Sequence, residues 1–171
     1  MVRSSLFGCV VSVAAVWVGG LGGCANQAAS GGHAAVQSSV VLTADTVNIL
    51  GANARVAGTP SQEYLGYWTN TDTTALWSVK DLAPGTYKAE LLYALDASYA
   101  GSIVVVSAAG QTLTSRLAAT KSWHDFERLD MGTLKVSKPG DLTLTVTPAT
   151  KPRQYVMNLQ QVILTPVKVP S

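Results

Sequence analysis

The sequence predicts an all-β domain, an antiparallel β-sandwich. Three observations carry this. Short segments rich in Val, Leu and Thr alternate apolar with polar residues; Gly and Pro turn signals separate them at regular spacing; and no helical stripe follows the N-terminal segment.

The strands follow in order. Val40 to Ala44 and Val47 to Leu50 are short apolar pieces. Leu76 to Val79 is a third, closed by Pro84-Gly85. In Thr86 to Leu92, Tyr87, Ala89 and Leu91 face one way and Thr86, Lys88 and Glu90 the other, the pattern of a half-buried strand. Ser102 to Ala108 is more apolar and reads as central, and Ala109-Gly110 turns it into the alternating Thr112 to Ala118. Phe126 to Val136 is a longer strand with room for a bulge at Gly132. Pro139-Gly140 leads into "DLTLTVTP", whose leucines and Val146 point inward, and Val156 to Thr165 closes the domain. Both Pro-Gly pairs read as hairpin turns, not as a duplicated unit.

The first 23 residues read as a targeting segment. Arg3 precedes an apolar run, Leu6 to Val18, that is short for a bilayer span. Leu21-Gly22-Gly23-Cys24 then resembles the bacterial lipobox, which implies a lipid-bearing Cys24 at the mature N-terminus; the alternative is an ordinary signal peptide ending near a chance cysteine. Several acyl chains would hold a protein firmly on a membrane. Residues 24–39 continue as a small, polar tether containing His33, and residues 168–171 as a short tail, leaving 40–167 as the domain. The only other cysteine, Cys9, lies in the targeting segment, so the domain has no disulfide, thiolate nucleophile or thiolate metal site. Its stability must come from its core, for which about 130 residues suffice.

Charge and motifs exclude several functions. The 12 Lys and Arg nearly balance the 10 Asp and Glu, and no basic cluster suggests nucleic acid. "TKSWHDF" places Ser122, His124 and Asp125 side by side, yet a triad is a matter of geometry, and Asp125 would point away from His124 on an extended segment. No nucleophile elbow, zinc-spaced histidine pair or phosphate-binding glycine loop is present. Glu63, Asp72 and Asp96 could in principle serve glycoside hydrolysis, but nothing in the sequence brings them together. A non-catalytic protein is expected.

"YLGYWTN" (64–70), "DLAPGTYKAELLYA" (81–94), "QTLTSRLAATKSWHDFERLDMGTL" (111–134), "KPGDLTLTVTPA" (138–149) and "VMNLQQVILTP" (156–166) occur in that order. This succession resembles the carbohydrate-binding modules of families six and thirty-five, galactose-binding-like sandwiches such as those appended to bacterial sulfatases and fucosidases. The resemblance implies a jelly-roll with a sugar site in the loops at one end. It implies a first aromatic at Tyr67, with Trp68 beside it, a second at Trp123, and an orienting asparagine at Asn158. Flat aromatic rings can cover the apolar face of a sugar, and an amide both donates to and accepts from hydroxyls. Either Tyr67 or Trp68 is expected to be buried, because neighbours on a strand face opposite ways. Trp77, Tyr87, Tyr93 and Phe126 read as core; Tyr99 and Tyr155 could rim the site, and Tyr64 is open to either role. Asn158 could equally pair with backbone at the start of its strand.

The chain departs from the resembling family in places. Thr73-Thr74 stand where a tryptophan is common. The family's structural calcium uses a Glu-x-Glu pair and a late aspartate, whereas this chain offers Asp45, Gln160 and Gln161, so neither a tight calcium site nor any cofactor is expected. The resulting expectation is a lipid-anchored glycan-binding module at the bacterial cell envelope, at the outer membrane if the cell has two, because Ala25 follows the cysteine. The alternative is a structural or protein-interaction sandwich that docks on an envelope sulfatase or glycosidase without touching glycan.

Overall fold

The structure, a computed structural model, describes residues 37–168. The targeting segment, Cys24 and most of the tether therefore lie outside the described residues, as do residues 169–171. Eleven strands form: β1 (Val40–Thr43), β2 (Asn48–Leu50), β3 (Arg55–Ala57), β4 (Tyr64–Gly66), β5 (Thr74–Leu82), β6 (Gly85–Ala94), β7 (Ile103–Ala108), β8 (Gln111–Arg116), β9 (Glu127–Val136), β10 (Gly140–Thr150) and β11 (Asn158–Pro166). One sheet runs β3-β4-β11-β6-β9, with β1 also on β11, and the other runs β2-β5-β10-β7-β8. Every ladder is antiparallel. The fold class is the one expected.

The two Pro-Gly pairs are not hairpins. β5 and β6 lie in different sheets, and so do β9 and β10. Pro84-Gly85 and Pro139-Gly140 are therefore corners at which the chain leaves one layer for the other. Proline suits such a corner because it has no N–H to contribute to either ladder. Ala109-Gly110 does close a hairpin, between β7 and β8, with Ala108 opposite Gln111. The strands β3 and β4 were not anticipated; each is three residues long, too short to show a period.

Alternation builds the core. Along β6, Tyr87, Ala89, Leu91 and Tyr93 are buried while Thr86, Lys88, Glu90 and Leu92 are half-exposed. Leu144 and Val146 of β10 and Val104 and Val106 of β7 are fully buried in the same core. Each such side chain stabilises the fold by about 1.5–3 kcal/mol. A bulge falls beside Gly132: β6 pairs Ala89 with Gly132 and then Glu90 with Asp130, which leaves Met131 as the extra residue. On the outer face, Lys88 reaches Glu90 at 3.0 Å and Asp130 at 3.2 Å. Glu90 is largely covered, whereas Asp130 is exposed, and its pair with Lys88 adds little stability.

Candidate functional site

At the end of the sandwich, three connections and the starts of two strands enclose a cavity of about 250 Å³. Tyr64 and Tyr67 come from β4 and the residue after it, Trp123 and His124 from the β8–β9 connection, and Tyr155, Met157 and Asn158 from the run into β11. Three of the four ligand residues expected from the sequence, Tyr67, Trp123 and Asn158, thus meet around one concavity.

The fourth does not. Trp68 is fully buried in the core, and its indole N–H has no partner. The backbone explains how the pair divides. Tyr67 adopts φ 55°, a left-handed conformation that turns its ring out to 48% exposure while Trp68 turns in. The Arg55 guanidinium, with no carboxylate partner among the described residues, lies over the Tyr67 ring at 3.8 Å from its centroid. That stacking helps hold a ring on strained backbone. Nothing in the sequence marked Arg55.

Trp123 is half-buried and built into an aromatic group. Its ring centroid lies 5.2 Å from that of Tyr99 and 5.9 Å from that of Tyr155, edge to face with the latter. Tyr99 and Tyr155 are 5.5 Å apart. Tyr155 lines the cavity, whereas Tyr99 backs Trp123. Opposite them, Tyr64 forms a wall with His124 at 6.3 Å and with the half-buried Phe126 at 6.0 Å.

Hydrogen bonds hold the loops. Asn158 Nδ2 donates to the Trp123 carbonyl at 2.9 Å, so the amide nitrogen fixes the loop while the residue also lines the cavity. The Thr120 N–H donates to Leu95 O at 2.8 Å, and its hydroxyl accepts from Leu95 N–H at 2.9 Å. The Tyr93 hydroxyl donates to Ala118 O at 2.9 Å. The Val156 N–H donates to Trp68 O at 2.9 Å, joining the loops that carry Tyr155 and Tyr67.

The Ser-His-Asp run makes a turn. Ser122 Oγ donates to Asp125 Oδ2 at 2.5 Å and accepts from the His124 backbone N–H at 3.2 Å. The hydroxyl proton is directed at the carboxylate, and the imidazole packs on Tyr64. Nothing in this arrangement prepares Ser122 as a nucleophile for His124. As expected, Trp77, Tyr87 and Tyr93 are core; Phe126, expected there too, is only half-buried, because it packs on Tyr64 at the end of the sandwich.

A second, polar cleft is lined by Asp45, Glu63, Gln160 and Gln161, with Thr43 and Ser61. It is where the resembling family would place calcium. Two carboxylates stand there, and among the described residues no group of three His, Cys, Asp or Glu is placed to hold a metal. The Thr43 carbonyl already accepts from Trp77 Nε1 at 2.9 Å and Thr46 Oγ1 at 3.0 Å. The structure thus adds the Glu63 carboxylate to the Asp45 that the sequence offered, beside the neutral oxygens of Gln160 and Gln161.

No protein-family model matches the chain, and no curated protein matches its sequence. Solved structures match its shape. A family 35 carbohydrate-binding module from Clostridium thermocellum superposes with TM-score 0.62 at 17% identity, over 76% of this chain and 99% of its own. A family 6 carbohydrate-binding module gives 0.55 at 18%, over 75% and 94%. The insecticidal crystal protein Cry2Aa gives 0.60 at 15%, over 75% of this chain and 21% of its own. At such identities the likeness establishes the β-sandwich fold, and a toxin shares it as readily as a sugar-binding module.

Proposed function

We propose that the protein is a non-catalytic glycan-binding module whose ligand sits in the loop-end cavity. One observation carries this reading: Tyr67, Trp123 and Asn158, drawn from segments far apart in sequence, converge on one solvent-open concavity. Tyr67 and Trp123 supply apolar faces for a sugar ring, and the Asn158 oxygen accepts from a hydroxyl. Binding of a neutral ligand here needs no proton transfer. The solved carbohydrate-binding modules of the same fold support the reading. Titration against a glycan panel, with Trp123→Ala as control, tests it. Silence across the panel, or a variant that binds as well as the parent, overturns it.

The placement in the cell is part of the proposal. The run Leu21-Gly22-Gly23-Cys24 supports a lipid on Cys24 and a position on the bacterial envelope, where the module would hold glycan near the cell or near a secreted sulfatase or glycosidase. Metabolic labelling with a fatty acid, lost in Cys24→Ser, is the expected result; unlabelled parent protein would rule the anchor out.

A further inference from the structure

The chain enters the domain at the end farthest from the cavity. Gln37, the first described residue, donates from its side-chain amide to the Pro84 carbonyl at the corner between β5 and β6. Gly85 makes room for it, since a Cβ there would collide with the Gln37 amide. From this corner β6 runs ten residues, Gly85 to Ala94, which is about 30 Å of strand. Ala94 pairs with Asn158, which lines the cavity. The next residue, Leu95, bonds Thr120 in the connection that carries Trp123. One strand length therefore separates the point of entry from the cavity.

The neighbouring elements agree. β1 starts at Val40, opposite Leu164, near the end of β11 that is remote from Asn158. The Val167 N–H donates to Thr86 O at 2.8 Å, so the chain leaves the sandwich at the same end. The β9–β10 connection is there too, because Val136 pairs with Gly85 and Gly140 with Leu82. Both ends of the described chain thus lie at one pole and the cavity at the other. Basic residues stand at both poles, Lys135, Lys138 and Lys168 at the entry and Arg116, Lys121 and Arg153 near the cavity, so charge does not choose which pole faces an anionic bilayer. The covalent link does. Residues 25–36 join Cys24 to Gln37 and reach about 40 Å at full stretch. Turning the cavity toward the lipid would take up about 30 Å of that reach along the length of β6.

We propose that the entry pole, built from the Pro84-Gly85 corner, the β9–β10 connection and the last residues of β11, is the face that rests on lipid headgroups, and that the cavity opens away from the membrane. The inference rests on the lipid anchor proposed for Cys24. It adds a direction to binding: the cavity meets glycan arriving from outside the membrane that carries the protein, and not glycan rooted in that same bilayer.

Fluorescence energy transfer to an acceptor on the lipid headgroups tests it. The domain has no cysteine and lipid would occupy the Cys24 thiol, so one introduced surface cysteine takes the donor alone. The full chain, lipidated in a bacterial host, is added to preformed phosphatidylcholine vesicles that carry a headgroup-labelled lipid. Lys138→Cys, in the β9–β10 connection, is compared with Lys121→Cys, in the connection that carries Trp123; both positions are exposed. Transfer from position 138 is expected to exceed that from position 121 severalfold, because the two lie about 30 Å apart along the strand direction. Ser137→Cys and Arg153→Cys repeat the comparison, so that no single substitution decides it. Equal transfer from the two poles, or greater transfer from the cavity pole, overturns this inference alone. If the parent chain takes up no fatty acid and does not stay with the vesicles, the anchor falls and this inference with it, while glycan titration in solution still stands or fails by itself.

Discussion

Asn158 holds Trp123 by its backbone: the Nδ2 group at the first residue of β11 donates to the Trp123 carbonyl at 2.9 Å, across a gap of 35 residues in sequence. Asn158 is 7% exposed, so the bond is sheltered from water. Asn158→Ala leaves that carbonyl without its partner, a loss of about 1–3 kcal/mol. Asn158→Asp should be as damaging, because a carboxylate oxygen would face the carbonyl oxygen. Thermal melts should show both variants less stable, and titration should show both weak for any glycan the parent binds. A variant that keeps full affinity would remove Asn158 from the site.

Gly66 is required by the same residue. A Cβ there would lie 2.7 Å from Asn158 Oδ1 and 2.8 Å from the Tyr64 ring. Both side chains are constrained, one by its bond to the Trp123 loop and the other by His124 and Phe126. Gly66→Ala should cost about 1–3 kcal/mol of stability by overpacking. Glycan affinity should fall by more than tenfold, since two walls of the cavity move together. Chemical denaturation and titration of one preparation measure both.

Much of this was legible in the sequence, and the exceptions have physical causes. Long strands such as β6 and β10 declare themselves because ten or eleven residues give five inward positions to read. β3 and β4 offer three residues each, and their pairing with each other, Val56 opposite Leu65, is long-range information. A Pro-Gly pair marks a change of direction but not the sheet that the chain joins next. The resemblance to carbohydrate-binding modules pointed to Tyr67, Trp68, Trp123 and Asn158, of which Trp68 is buried; the role of Asn158 as a loop anchor and the Arg55 stack depend on packing. The pair Tyr67-Trp68 could not be divided by alternation, because the left-handed backbone at Tyr67 lies outside strand geometry.

Two buried tryptophans should respond differently to the same substitution. Trp77 Nε1 donates to Thr43 O at 2.9 Å, whereas Trp68 Nε1 is buried without a partner. Replacement by Phe leaves a void in both cases. At Trp77 it also strips a hydrogen bond worth about 0.5–1.5 kcal/mol, and at Trp68 it relieves an unsatisfied donor. Trp77→Phe should therefore lower the unfolding free energy by about 1 kcal/mol more than Trp68→Phe. Equal losses in urea titrations would mean that the Trp68 indole finds a partner such as water.

The β7–β8 hairpin carries avoidable strain. Ala109 and Gly110 have φ 51° and 70°, the double left-handed pattern of a type I′ turn. Glycine adopts this without penalty, whereas alanine pays about 1 kcal/mol. Ala109→Asn or Ala109→Gly should raise stability, by about 0.5–1 kcal/mol for the asparagine, which does not loosen the unfolded chain as glycine does. Ala109 is exposed and at the opposite end from the cavity, so glycan affinity should not change. An unchanged or lower melting temperature in both variants would contradict the turn assignment.

Alkaline pH should loosen the core. Burial pushes the phenols of Tyr87 and Tyr93 above the ordinary tyrosine range. Each phenol donates to a carbonyl, Tyr87 to Ala83 at 2.8 Å and Tyr93 to Ala118 at 2.9 Å. A folded pKa above the unfolded one means that the folded state holds the proton more tightly. The associated stability is then fully present below the unfolded pKa, about 10 for tyrosine, and is lost as pH rises from there through the folded value. The melting temperature should change little because of these groups up to about pH 10 and fall beyond it. Tyr87→Phe with Tyr93→Phe should start lower, having lost two hydrogen bonds, but fall less steeply. Tyr93 also ties down Ala118 at the start of the connection that carries Trp123, so glycan affinity should weaken over the same interval. Slopes above pH 10 that match between parent and double variant would show that other groups drive the alkaline transition.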